Sequence, residues 1–376
     1  MTNACATSGS AATEMTPDRR AHVWRLHRQA PVIDFHNDSL RATMDGDVRY
    51  NPHRNAPPQP RRLWERASTG QWDFPRALEG GLTGQVTNIL VPRPRRGPFL
   101  PIALKAYRQG IADLDAAPHL AMLATSADDV VRAHREGKIA LIFAIEGAEA
   151  FEGDLDLLHV FHQLGVRAIG LTWMWRNEVA EGNWEDTGAG LTAFGRKAVR
   201  EMNKLGILVD VAHSTEQTFY DTLDASAAPV ICSHTSCRAL VKHFDDHAPS
   251  RYFSDEQIKA LAAQGGVMGI FFSAGRELEK PGDSALDLAR FFAHAASLVG
   301  AKHLGFGSDY DGGFPPSDMI EVSGLPNLTS ALIDVGFSDE EILGVLGGNW
   351  LRVWRTAAGH ESVRPAGKTA TGGTNA

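Results

Sequence analysis

Cysteine is scarce: three residues (Cys5, Cys232 and Cys237) in a chain of 376. That is too few for a disulfide framework, and the C-x4-C spacing of the last two has no second pair with which to build a structural zinc knuckle. Long apolar runs are missing too. No stretch reaches the ~18 residues a membrane-spanning helix needs, so no membrane association is expected. The first residues, Met1 to Ser8, lack both the basic and the apolar segment of a secretory signal, and the expected compartment is the cytoplasm. Positive charge is in deficit, 37 Lys and Arg against 45 Asp and Glu for a net −8. No basic cluster is long enough to track a nucleic acid backbone, which argues against nucleic acid partners. Arg61-Arg62 and the Arg93–Arg96 cluster are short and read as solvated loops.

What the chain does have is the composition of a soluble globular protein, 43% hydrophobic and 22% charged. Residues 1–17 are small and polar, and residues 359–376 are of low complexity. Both read as disordered ends of one domain over 18–358. Asn51–Arg62 is rich in proline and reads as a surface excursion. Eight apolar runs stand out: Val32–His36, Gly84–Leu90, Ile139–Glu146, Arg167–Thr172, Gly206–His213, Ala228–His234, Gly265–Phe272 and His303–Asp309. They are rich in Val, Ile and Phe without strict alternation, as strands buried on both faces are. Helical patterns separate most of them, for example Phe194, Ala198, Met202 and Leu205 on one face. Ser254-x-x-Gln257 and Ser338-x-x-Glu341 read as capping boxes that open helices. Strand and helix in eightfold alternation predict an α/β fold of the (β/α)8 barrel type. An open doubly wound sheet would want a glycine-rich turn after the first strand, and this chain has His36-Asn-Asp-Ser39 there.

In such a barrel the reactive groups stand at the C-terminal strand ends. His36, Asp38, Glu146, His213, His234 and Asp309 all fall there. Any one of them alone reads as a satisfied rim residue. Together they are costly to bury without compensation, and a pair of metal ions supplies it. Imidazole and carboxylate without thiolate suit Zn2+, with Co2+ or Mn2+ as substitutes. Glu146 has two oxygens with which to span two cations. A water between the cations would ionise near neutral pH, and Asp309 would carry a proton to a leaving amine. Asp34 and Asp210, inside strands, read as structural partners. His243 and His247 lie in the loop after the sixth run, within possible reach of a substrate.

Five stretches carry a resemblance: Ile33–Asp38, Ala144–Gly147, Gly206–Ser214, Ala228–Ser236 and Gly305–Gly312, with Gly348–Trp354 near the end. With these the chain resembles the membrane (renal) dipeptidase family, zinc peptidases of the amidohydrolase superfamily, over roughly residues 30–355. The resemblance implies a binuclear zinc dipeptidase that attacks a short substrate's peptide bond with a metal-bridging hydroxide. His36 and Asp38 would bind one zinc, His213 and His234 the other, and Glu146 both. Asp309 would be the proton shuttle. Arg251 falls where the family holds an arginine for the substrate's C-terminal carboxylate, a task that suits a bidentate guanidinium. Members are commonly dimers, so a homodimer is implied as well.

One position departs from the family pattern. Trp173 stands where members often have a substrate-contacting histidine after the fourth strand. Indole donates one N–H and cannot take a charge. The alternatives are therefore an N-acyl amino acid amidohydrolase or a lactonase on the same metals, and a non-catalytic small-molecule binding barrel.

Overall fold

A computed structural model describes residues 15–40, 61–90, 99–242, 249–277 and 283–359. Cys5, the Arg93–Arg96 cluster, His243, His247, most of the proline-rich excursion and residues 1–14 and 360–376 lie outside the described residues, whereas Thr16 and Pro17, expected to be disordered, cap and open the helix Pro17–Gln29.

Among the described residues nine parallel strands form the sheet: β1 (Ile33–Asn37), β2 (Gly84–Leu90), β3 (Ala121–Leu123), β4 (Ile139–Glu146), β5 (Val166–Gly170), β6 (Leu208–Asp210), β7 (Ile231–Thr235), β8 (Val267–Phe271) and β9 (Leu304–Gly307). Eight of them close into a barrel. β2 pairs with β1 on one side and with β4 on the other, the latter in unbroken register from Gly84↔Ala140 to Leu90↔Glu146. The (β/α)8 expectation therefore holds. β3, which the apolar-run reading does not contain, pairs among the described residues only with the start of β4 (Ala121↔Ile139). Two of its three residues are half-buried, so it lacks the run of fully buried side chains that marks the barrel strands.

Two apolar layers hold the architecture. One fills the barrel, with Ile33, Phe35, Val86, Ile142, Ile231 and Val267, and is plugged by Trp350 and Trp354 of the helix Asn349–Gly359. The rings of Phe35 and Trp350 lie 4.5 Å apart between centroids. Gly305 is required beside them, because a Cβ there would stand 2.1 Å from the Phe35 ring. The other layer lies between the strands and the surrounding helices, where Ala198, Met202 and Leu205 of the helix Ala193–Leu205 are buried as their spacing predicts. Both capping boxes are present, at Ser254/Gln257 and Ser338/Glu341. No helix among the described residues is long and apolar enough to cross a membrane.

One expectation is corrected. Arg61 is not a solvated loop residue. Its side chain is 6% exposed and forms an ion pair with Asp311, whose side chain is 4% exposed. A guanidinium leaves water when a carboxylate and backbone carbonyls replace its hydration, here Asp311 and the Trp72 carbonyl at 2.9 Å.

Candidate metal centre

The strand ends of one barrel face bring the six predicted residues together. His36 lies in β1 with Asp38 just past it, Glu146 closes β4 and His234 lies in β7. His213 and Asp309 sit beyond the regular strands rather than at their last residues. Both have left-handed backbone, with φ of 61° and 60°. Non-glycine residues held there carry strain, and such positions concentrate at functional sites.

Glu146 Oε1 stands at the centre of the group. It is 3.2 Å from His213 Nε2, 3.6 Å from His234 Nε2 and 3.7 Å from His36 Nε2. His36 Nε2 is in turn 3.5 Å from Asp309 Oδ1 and 3.9 Å from Asp38 Oδ1. Ligand atoms of His36, Glu146 and His234 lie within 4.8 Å of one another, and so do those of His36, Asp38 and Asp309. His36 Nε2 and Glu146 Oε2 are buried without a hydrogen-bond partner. Buried polar atoms are rarely left so, and these two point at a cation.

The electrostatics agree. Burial drives His36, His213 and His234 well below the usual imidazole value, and the nearby Arg251 charge pushes the same way. Burial, then the negative charge of Asp38, holds Glu146 and Asp309 well above the usual carboxylate range; Arg251 works against the rise. Neutral imidazoles beside crowded acids form a donor set for a divalent cation, whose charge would reverse the carboxylate shifts.

A second ring of groups fixes the imidazoles. Ser233 Oγ lies 2.8 Å from His234 Nδ1, and in the tautomer that frees Nε2 for a cation it accepts the hydrogen bond from Nδ1–H. Asn88 Nδ2 stands 2.6 Å from His36 Nδ1 and holds that ring from the other side. Sequence reasoning missed both. Asn88 carried no distinct signal, because Gln85 and Thr87 of the same strand are polar as well.

Asp34 and Asp210 have the structural role expected of them. Asp34 accepts from the backbone N–H groups of His36 (3.2 Å) and Ser308 (2.8 Å) and from the Ser308 hydroxyl (2.6 Å), tying β1 to β9. Asp210 accepts from Ala212 (3.0 Å) and Ser233 (2.9 Å), tying β6 to β7.

Arg251 lies beside this group. Its guanidinium donates to the His234 carbonyl at 2.7 Å and sits 4.9 Å from the centroid of the Phe271 ring. Trp173 is half-buried. A Cβ on Gly147, the residue after Glu146, would be 3.3 Å from its Cβ, and the neighbouring Thr172 hydroxyl donates to the His213 carbonyl at 3.1 Å. Both residues thus border the centre. Cys232 and Cys237 are buried, with burial pushing the Cys237 thiol up to about 12.

Comparison with known proteins yields one family and several relatives. The family described as membrane dipeptidase (peptidase family M19) matches residues 20–366. The dipeptidase aclJ of Aspergillus oryzae is 32% identical over 298 residues, 76% of this chain and 69% of that protein. An uncharacterized dipeptidase of Schizosaccharomyces pombe is 36% identical over 240 residues, 61% of this chain and 56% of that protein. Among solved structures, a metallopeptidase from Rhodobacter sphaeroides, liganded with a phosphinate mimic of the dipeptide L-Ala-D-Ala, is 28% identical with a TM-score of 0.75. The match covers 87% of this chain and 99% of that one.

Proposed function

Since the chain belongs to the membrane dipeptidase family (peptidase family M19) and is a peptide-bond hydrolase, we propose that it is a dipeptidase working with two zinc ions. The observation that carries this reading is the position of Glu146 Oε1 within 3.2–3.7 Å of three imidazole nitrogens. A carboxylate so placed is within reach of cations held by either set of rings. His36 and Asp38 would hold one ion, His213 and His234 the other, and Glu146 both. Bound there, the ions would supply Lewis acidity toward the substrate carbonyl and lower the pKa of water enough to give hydroxide near neutrality.

The remaining work falls to the chain's own side chains. Asp309 takes the proton released as water adds to the carbonyl carbon and delivers it to the amide nitrogen as the C–N bond breaks. Arg251 receives the C-terminal carboxylate of the substrate, which restricts catalysis to short peptides. Trp173 packs against the substrate beside the reacting carbonyl.

The test is a hydrolysis screen on zinc-loaded enzyme, with L,L- and L,D-dipeptides, their N-acetyl forms and simple lactones. Cleavage of free-amine dipeptides alone is expected. A second reading, an N-acyl amino acid amidohydrolase or lactonase on the same centre, draws its support from Trp173 in place of the family's histidine. Turnover confined to acylated substrates or lactones would replace the first reading with that one.

A further inference from the structure

We propose that Asp311 is a positioning residue for Asp309, acting through a buried clamp with Arg61, Gln71 and Ser39. The inference rests on the reading of Asp309 as the proton carrier.

Asp309 and Asp311 lie in one tight turn. Gly312 N and Gly313 N both donate to the Asp309 carbonyl, at 3.0 and 2.6 Å. Within three residues the turn holds two non-glycine positions at positive φ, 60° at Asp309 and 67° at Asp311. Such a backbone persists only where its surroundings over-determine it. Asp311 provides that restraint. Its Oδ2 accepts from the Ser39 hydroxyl at 2.6 Å and from the Arg61 guanidinium. Its Oδ1 accepts from Gln71 N at 2.8 Å, and its own N–H donates to Gln71 Oε1 at 2.6 Å. Ser39 follows the candidate ligand Asp38, so one carboxylate ties together the two strand ends that carry Asp38 and Asp309.

The spacing the clamp controls is tight. A Cβ built on Gly312 would meet Asp309 Oδ1 at 2.4 Å and Asp38 Oδ2 at 2.5 Å. Both carboxylates therefore lean on the same glycine, and a small rotation of the turn changes the reach of Asp309. The clamp is anchored outside the barrel strands, because Arg61 also donates to the Trp72 carbonyl at 2.9 Å.

The experiment uses the full zinc-loaded chain and the dipeptide turned over fastest in the screen above. Asp311→Asn, Asp309→Asn, their double variant and Arg61→Lys are compared by kcat, KM, zinc per chain and thermal midpoint. Asp311→Asn is expected to lose roughly tenfold to a hundredfold in kcat with KM within about twofold, the usual cost of removing a supporting partner. Zinc content should stay at the unsubstituted value. The double variant should be no slower than Asp309→Asn alone, because a residue acting through Asp309 has nothing left to position. Arg61→Lys, which keeps the charge but not the fork, should retain more activity than Asp311→Asn; should Asp311→Asn fail to fold, Arg61→Lys combined with Asp309→Asn carries the same comparison. Unchanged kcat in Asp311→Asn, losses that multiply in the double variant, or losses that follow zinc content or unfolding would each overturn the proposal. Native turnover by Asp309→Asn would instead remove the proton-carrier reading on which it rests.

Discussion

The Nε2 atoms of His213 and His234 face each other at 3.0 Å, with both rings buried. Ser233 Oγ lies 2.8 Å from His234 Nδ1, on the side of that ring away from the pair, and Glu146 Oε1 stands 3.2 Å from His213 Nε2. A cation satisfies all three atoms at once. Exhaustive chelation is therefore expected to abolish turnover and lower the thermal midpoint, and added Zn2+ should restore both. At free zinc a hundredfold above the Kd of a site, each bound ion should add about 2.7 kcal/mol. Full turnover by protein shown to be metal-free by elemental analysis would refute the metal centre.

Glu146→Gln tests the proposed sharing of this carboxylate between two cations. The amide matches the carboxylate in size but carries no charge to balance two cations. Elemental analysis of the variant should find fewer metal ions per chain than in the unsubstituted protein. Full occupancy would show that Glu146 is not shared.

Arg251→Met tests substrate anchoring. Losing charge-assisted hydrogen bonds worth ~1.5–3 kcal/mol should raise KM roughly tenfold or more while kcat changes little. Dipeptide amides, which lack the carboxylate, should not distinguish the variant from the unsubstituted enzyme. Equal losses on both substrates would place Arg251 in support of His234, whose carbonyl it already touches.

Away from the centre, His27 sets an acid limit on stability. Burial lowers it from 6.5 to about 4, with its ring against Thr329 Oγ1 at 2.8 Å. Between those values the unfolded chain binds a proton that the folded chain refuses. Stability is thus complete above pH 6.5, falls as pH drops toward 4 and loses about 3 kcal/mol over that window. His27→Gln should flatten this part of the stability curve measured by urea unfolding. An unchanged slope would reassign the acid sensitivity to other groups.

The barrel was legible because its strands are buried on both faces, and runs such as Ile139–Glu146 announce this without alternation. The candidate ligands were legible because polar residues are conspicuous where such runs end. Short β3 carried no comparable pattern. The left-handed φ of His213 and Asp309 was hidden, since neither is a residue type that demands it. Arg61 was misread because local composition reports proline-rich surroundings but not a carboxylate 250 residues away. The same range hid the clamp around Asp311, where no sequence spacing relates Ser39, Gln71 and Arg61.

The lacing of β1 to β9 has a consequence for synthesis. Asp34 and Ser308, joined by two hydrogen bonds, are 274 residues apart. His36 and Asp309 stand beside them. On a ribosome adding ~5–20 residues each second, the first half of the centre waits on the order of tens of seconds for the second. Throughout that interval the nascent chain holds an open sheet edge at β1 and an incomplete set of donors. Capture of cations by the proposed donor set would thus wait for the last strand of the barrel and come late in the life of each new molecule.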